Sequence, residues 1–154
     1  MHNKKIKYTH HKKFDVSRHI KLTDKVIELV DKLYVLPNEI EIVFESLGKS
    51  VYGMTVLDKH TNNRIRLNID LDINEYIIPL THELLHLHQI FTNRLQPKTN
   101  GKIMFDGVLY KVDSLNMSYE DYTDLPWEQD VMEKQCKLLI FLQENSRKLR
   151  VDIG

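Results

Sequence analysis

The chain has 154 residues, of which 42% are hydrophobic, and this content suits one globular domain with a moderate core. Its 22 basic and 22 acidic side chains cancel, so the net charge gives no sign of a nucleic-acid or membrane-surface protein. The single cysteine, Cys136, excludes an internal disulfide framework and favours a reducing compartment. The sequence has no apolar run as long as a membrane span and no signal-peptide core, so we expect a cytoplasmic protein without a membrane partner.

The first stretch of the chain, MHNKKIKYTHHKKF, is basic and shows no clear hydrophobic period. This pattern indicates a solvated surface segment, and contact with nucleic acid is the alternative. The sequence therefore divides into a basic N-terminal arm at residues 1–19 and a single domain at residues 20–154.

One helical pattern and three strand patterns follow the arm. The helix pattern covers residues 22–36, with one apolar face formed by Leu22, Val26, Leu29, Val30 and Leu33. The strand patterns are EIEIVFESL at 39–47, SVYGMTVLD at 50–58 and RIRLNID at 64–70. We expect two of these strands to form a hairpin.

The second half of the chain predicts two more helices and another hairpin. Residues 79–91, PLTHELLHLHQIF, form an apolar helical pattern with Pro79 in its first turn, where a missing N–H is tolerated. KIMFDGVLYKVD at 102–113 predicts a hairpin, because Asp-Gly between apolar runs is a strong turn signal. A long helix follows Pro126. The predicted fold class is α+β, with a small three-stranded sheet packed on the first two helices and the last helix closing the site.

Residues 82–86 of the second helix match the pattern His-Glu-x-x-His. At about 100° per residue, His82 and His86 lie about 40° apart around the axis, so both imidazoles can reach one metal ion. Glu83 lies about 60° from His86, close enough to touch a metal-bound water without being a ligand. His88 lies roughly 200° from His86 and is expected to be a surface or packing residue. A buried helix that merely contains histidines is the alternative interpretation.

A catalytic zinc ion takes three protein ligands, so the two histidines need a partner from another element. In the last helix, Glu128 lies on the same side as an apolar stripe that includes Val131, whereas Asp130 and Glu133 should face solvent. Because a buried carboxylate is costly unless it is paired or ligated, we expect Glu128 to be the third ligand. The alternative is a first-turn glutamate stabilised by the helix dipole, which does not explain the inward direction.

These residues together predict a zinc-dependent peptidase. With His82, His86 and Glu128 on zinc, a bound water would ionise near neutral pH and the scissile carbonyl would be polarised. Glu83 would accept the proton of that water as general base and pass it to the leaving amine. A further hydroxyl often stabilises the oxyanion in such reactions. Three downstream tyrosines are equal candidates for that role: Tyr110, Tyr119 and Tyr122.

The segments THELLHLHQ, DGVLYKVD and LPWEQDV, in this order, resemble the gluzincin class of zinc metallopeptidases, in particular small zincin-like proteins of bacterial phages and prophages. The resemblance covers roughly residues 20–145 and implies a zincin-like fold. It also implies His82, His86 and Glu128 as zinc ligands and Glu83 as catalytic base. By analogy, SVYGMTVLD or RIRLNID would receive the substrate as an added strand. The family often has a Glu-Ala pair where Asp130 and Val131 stand here.

The competing function class is a binding module. In this interpretation the zinc is structural or vestigial, and the basic arm delivers the domain to nucleic acid or to a protein partner. The presence of Glu83 favours catalysis, because a structural site needs no general base beside the metal. A peptide or protein substrate is therefore the expected partner.

Overall fold

The computed structural model describes residues 4–48, 51–55, 63–113 and 116–145, and in these ranges the chain is α+β. The described strands are β1 (Lys5–His10), β2 (Glu39–Glu45), β3 (Gly53–Thr55), β4 (Arg64–Asn68), β5 (Leu95–Pro97), β6 (Lys102–Phe105) and β7 (Val108–Lys111). The described helices are α1 (Ser17–Leu33), α2 (Ile77–Phe91), α3 (Tyr119–Thr123) and α4 (Pro126–Glu144). No helix in these ranges is both long enough and apolar enough to cross a membrane.

The main sheet has the strand order β1-β2-β4-β3 within the described residues. Strands β1, β2 and β4 are parallel, whereas β3 pairs antiparallel with β4, which confirms the predicted hairpin. The main sheet has four described strands, one more than predicted, because β1 lies in the segment that is predicted to be the arm. Since β4 lies between β2 and β3, β3 is the edge strand on that side of the sheet among the described residues.

The predicted N-terminal arm contains strand β1, so the expectation that this segment has no hydrophobic period was wrong, although most residues of β1 are exposed as a surface segment would be. Ile6 and Tyr8 turn toward the core, and the Tyr8 ring stacks on Phe44 at 5.9 Å between ring centroids. The Tyr8 hydroxyl also donates a 2.5 Å hydrogen bond to Asp24. The alternation of Ile6 and Tyr8 with lysines is a strand pattern, but the strand forms only because β2 pairs with it from more than thirty residues away.

The outer face of the main sheet pairs opposite charges across its strands. Glu41 of β2 forms ion pairs with Lys7 of β1, at 3.7 Å, and with Arg64 of β4. Arg66 pairs in the same way with Glu45. Cross-strand pairs of this kind contribute little stability each, but they set the register and cancel the charge of the basic strand.

Helices α1 and α2 cover the inner face of the main sheet and form the principal core with it. The predicted apolar face of α1 is confirmed by four buried residues, Leu22, Val26, Leu29 and Val30. The fifth, Leu33, is 46% exposed and is the last residue of α1. Burial of such side chains stabilises the fold by roughly 1.5–3 kcal/mol each.

Strands β5, β6 and β7 form a second sheet, which we call the small sheet. A second, smaller core lies under it. Leu95, Phe105 and Trp127 form its buried centre, and Trp127 brings the start of α4 against the hairpin. The predicted turn between β6 and β7 is confirmed: Asp106 and Gly107 have φ angles of 49° and 83°. Positive φ at both positions matches the right-handed twist of the flanking strands.

His19 of α1 is a partly buried imidazole that packs against aromatic rings of the principal core. Its ring contacts Tyr76 and Phe44 edge-on, at 5.2 and 5.8 Å between centroids. Both ring nitrogens are buried and find no hydrogen-bond partner among the described residues. Burial, and after it the charge of Arg18, lowers the pKa of His19, so the folded protein holds this ring neutral.

We therefore predict that His19 makes the stability fall as the pH drops. A group with a depressed folded-state pKa takes up its proton in the unfolded chain first, so stability is lost below the unfolded pKa of about 6.5. The variant His19→Leu should lose less of its free energy of unfolding between pH 8 and pH 5.5 than the wild type. Urea denaturation at both pH values measures this difference, and equal losses in the two proteins would contradict the prediction.

Candidate metal centre

The crossing of α2 and α4 brings together the three side chains that the sequence predicts as ligands. His82 Nε2 lies 3.0 Å from Glu128 Oε1, and His86 Nε2 lies 2.8 Å from Glu128 Oε2. One donor atom from each of the three residues lies within 4.8 Å of the other two. The spacing of four residues on one helix and the inward face of the other therefore produce the predicted group.

The donor atoms of this group could hold a metal ion. Glu128 is only 4% exposed, and burial alone would raise its pKa. Hydrogen bonds from His82 and His86, followed by their charges, lower the pKa of Glu128 to about 2, so it is an anion at neutral pH. Two imidazole nitrogens and one carboxylate are a ligand set that catalytic zinc takes, leaving a fourth position for water or substrate. The residues fit a zinc ion.

Glu83 lies beside the group and does not join it. It is 6% exposed, and the Thr55 hydroxyl lies 3.1 Å from its backbone oxygen and 3.3 Å from its Oε2. Burial raises the pKa of Glu83, against the opposing charges of His86 and His82. A carboxylate in this environment is a better proton acceptor than one in water.

Strand β3 approaches Glu83 closely because residue 53 is a glycine. A Cβ atom at Gly53 would lie 3.2 Å from Glu83 Cγ and 3.1 Å from Leu67 Cδ2, closer than ordinary packing allows. Sequence reasoning missed both Gly53 and Thr55. A glycine inside a strand pattern is the signal that could have indicated this close approach.

Two of the predicted ligands, His82 and Glu128, line a cavity of about 450 Å³ together with Glu83. Its walls come from β3 and the two residues before it, from the start of α2, and from α3 and α4. The residues that line it are Val51, Tyr52, Gly53, Ile78, Pro79, His82, Glu83, Tyr119, Tyr122, Thr123, Glu128, Met132 and Gln135. The ligand group therefore has access to a cleft large enough for part of a peptide.

Only some of the candidate tyrosines reach this cavity. Tyr119 and Tyr122 line it, whereas Tyr110 packs edge-on against Trp127, at 5.7 Å between ring centroids. Burial, and after it the charges of Glu128 and Glu83, raises the pKa of Tyr122. Its hydroxyl therefore keeps its proton and remains a hydrogen-bond donor.

Asp130 does not face solvent, so this part of the prediction was wrong. Its side chain is 17% exposed and accepts hydrogen bonds from Gln89, Arg94 and Lys134. The helical wheel gave the direction of Asp130 relative to Glu128, but it could not show that residues of α2 and of the small sheet contact this side of α4. Glu133 is exposed, as predicted.

His88 points away from the ligand group, as predicted. Its Nδ1 lies 2.8 Å from the backbone oxygen of Val35, and its ring meets Tyr34 edge-on at 5.5 Å. His88 is therefore a packing residue that ties α2 to the end of α1.

Comparison with known proteins identifies no relative of this chain. No protein-family model matches it, and no match is found among curated proteins or among solved structures. The family resemblance stays a prediction, and the chemistry of the site has to be argued from its own geometry.

We predict that the purified protein holds about one zinc ion per chain after reconstitution. The variant Glu128→Gln should lose most of this zinc, since it replaces the anionic ligand by a neutral amide of the same size. His82→Ala and His86→Ala should lose it as well. Elemental analysis after exhaustive dialysis measures the zinc content.

Glu133→Gln is the matched control for Glu128→Gln, because it makes the same change on an exposed position of the same helix. It should keep the wild-type zinc content. Retention of zinc by Glu128→Gln, or equal loss in both variants, would exclude Glu128 as a ligand.

Proposed function

We propose that this protein is a zinc-dependent peptidase of the zincin type, in which Glu83 is the general base. One observation carries the proposal: Glu83, a buried carboxylate outside the ligand group, lines the same cavity as the predicted ligands His82 and Glu128. A metal site that only stabilises the fold has no need of an open cavity or of a second acid beside it.

In this proposal each residue of the site has a defined task. His82, His86 and Glu128 hold the zinc ion, which supplies Lewis-acid polarisation of a carbonyl oxygen and acidification of a water molecule. Glu83 takes one proton from the attacking water and delivers it to the nitrogen of the broken peptide bond. The β3 residue Thr55 fixes the Glu83 carboxylate for both transfers through its hydroxyl.

The side of β3 that has no strand partner among the described residues is the place where we propose that a peptide binds. One side of β3 is paired with β4, and the segment from Val51 to Gly53 borders the cavity. An extended peptide added to this edge would have its backbone hydrogen-bonded beside Glu83. The alternative strand of the sequence prediction, RIRLNID, is unsuitable because β4 is paired on both sides.

The binding-module alternative receives less support. It relied on a basic arm that delivers the domain to nucleic acid or to a protein partner. Residues 5–10 of that arm belong to the main sheet, and Lys7 is paired with Glu41. A structural or vestigial zinc site is still the competing proposal, and the role of Glu83 distinguishes the two.

We predict that Glu83→Gln strongly reduces hydrolysis without loss of zinc. The amide keeps the size of the side chain but cannot accept a proton at neutral pH, so activity should fall by roughly 10²-fold or more. The assay uses a mixed peptide library prepared from a bacterial lysate, and mass spectrometry compares cleavages by wild type and variant. Zinc content and melting temperature should be the same in both proteins.

The library assay separates the two function classes. Cleavages made only by the wild type support the peptidase. Identical cleavage by both proteins shows that Glu83 is not the base. Absence of cleavage by wild-type protein that is loaded with zinc favours the binding module.

We predict that Tyr122 donates a hydrogen bond to the developing oxyanion. Tyr122→Phe should lower the rate of cleavage of the best library peptide by roughly 10- to 10³-fold while zinc content is unchanged. Tyr110→Phe is the matched control, because Tyr110 lies against Trp127 and does not line the cavity. Equal rates for Tyr122→Phe and the wild type would contradict this role.

A further inference from the structure

Gln89 connects the predicted metal ligand His86 with α4. It lies three residues after His86 on α2, and it is buried. Its Oε1 lies 2.9 Å from His86 Nδ1. Its Nε2 lies 2.9 Å from the backbone oxygen of Trp127 and 2.8 Å from Asp130 Oδ2. All polar atoms of this side chain are therefore engaged with named partners.

The two contacts on the nitrogen side determine the orientation of the Gln89 amide. The Trp127 oxygen and the Asp130 carboxylate only accept hydrogen bonds, so they require the NH₂ group of Gln89 to face them. The amide oxygen must then face His86, and an oxygen can only accept. His86 Nδ1 therefore carries the proton of this hydrogen bond. Its Nε2, on the opposite side of the ring, points to Glu128.

Asp130 is itself held by two cations. Arg94 donates to Asp130 Oδ2 at 3.1 Å and to Oδ1 at 3.3 Å, and Lys134 Nζ lies 3.1 Å from Oδ2. These contacts lower the pKa of Asp130, against its burial, and keep it an acceptor. Arg94 also binds both oxygens of Asp106 in the turn of the small sheet, at 2.8 and 2.9 Å. A continuous series of hydrogen bonds thus runs from that turn to His86.

We propose that Gln89 is a positioning residue of the metal centre: it holds His86 with Nδ1 protonated and Nε2 directed at the ion, and Asp130 and Arg94 hold Gln89. Without a metal, His86 Nε2 donates its proton to Glu128, and a bound ion would take the place of that proton. An imidazole that rotates freely can lose either ring proton, and only this orientation with Nδ1 still protonated presents the Nε2 lone pair to the site. Fixing that arrangement before the metal binds raises the affinity. The inference rests on the proposed zinc site, but it does not require that the site cleaves peptides.

The first test is zinc affinity. Gln89→Leu removes the acceptor for Nδ1–H, and its zinc dissociation constant should rise by about 10- to 100-fold, the usual effect of losing such a partner. Competition with a chromogenic chelator measures it. Gln135→Leu is the matched control: Gln135 also joins α4 to α2, through Ile78 and Thr81, but it does not contact His86. The control should stay within about twofold of the wild type.

The second test measures directly whether Nδ1 of the His86 imidazole carries a protected proton. In zinc-loaded protein labelled with ¹⁵N-histidine, His86 should show a protonated Nδ1 whose proton exchanges slowly with water. In Gln89→Leu this proton should exchange rapidly, and the variant Gln135→Leu should leave it unchanged. A residue with a merely structural role would change the melting temperature without changing this signal.

A rescue variant keeps the inference testable even if Gln89→Leu does not fold. Gln89→Glu retains an acceptor for His86 but places a carboxylate against Asp130. Combining it with Asp130→Asn removes that repulsion and supplies an amide donor, while the unfavourable contact with the Trp127 oxygen stays the same in both variants. The double variant should therefore bind zinc more tightly than Gln89→Glu alone.

The outcomes separate this inference from the proposed peptidase. Wild-type affinity and slow exchange in Gln89→Leu would overturn the positioning role and leave the peptidase intact. Weak double-variant binding, equal to that of Gln89→Glu alone, would also overturn it. If the Gln89 variants change zinc affinity as expected but the wild type cleaves no peptide, only the proposed peptidase is overturned. A wild-type protein that binds no zinc would overturn both.

Discussion

The Glu128 carboxylate is the element on which the arrangement of the two central helices depends. A buried anion is costly unless it is paired, and its two oxygens accept from the two imidazoles of α2. These contacts require α2 and α4 to cross where His82 and His86 face the first turn of α4. The same turn places Glu128 near the positive end of the helix dipole, so the dipole and ligand interpretations of this residue are compatible.

The features that can be predicted from the sequence are those that depend on one helix or one strand alone. The positions of His82 and His86 follow from one helix, and the inward face of Glu128 follows from the apolar stripe of another. Features that depend on distant partners were not predictable in this way. Strand β1 needs β2 beside it, and Asp130 is covered only because the small sheet folds back over α4. Gln89 shares a helix with His86, so the three-residue spacing was available as a signal.

The sheet contributes to the site through its edge. The close approach of β3 to α2 depends on Gly53, and it places Thr55 against Glu83. A β3 strand further from α2 would leave the Glu83 carboxylate buried without this donor, which costs free energy. The backbone that we propose as the peptide edge is therefore the same backbone that supports the proposed base. Substrate position and base position are fixed by one strand.

The small sheet supports a predicted ligand, as the main sheet supports Glu83. It contributes no ligand to the group, but Arg94 at its start joins the turn at Asp106 to Asp130. Because α2 leads directly into β5, the covalent chain already keeps this sheet near the end of α2, yet it does not fix the orientation of any ring. The hydrogen bonds through Asp130 and Gln89 add that orientation. The main sheet thus positions the proposed base, and the small sheet positions a proposed ligand.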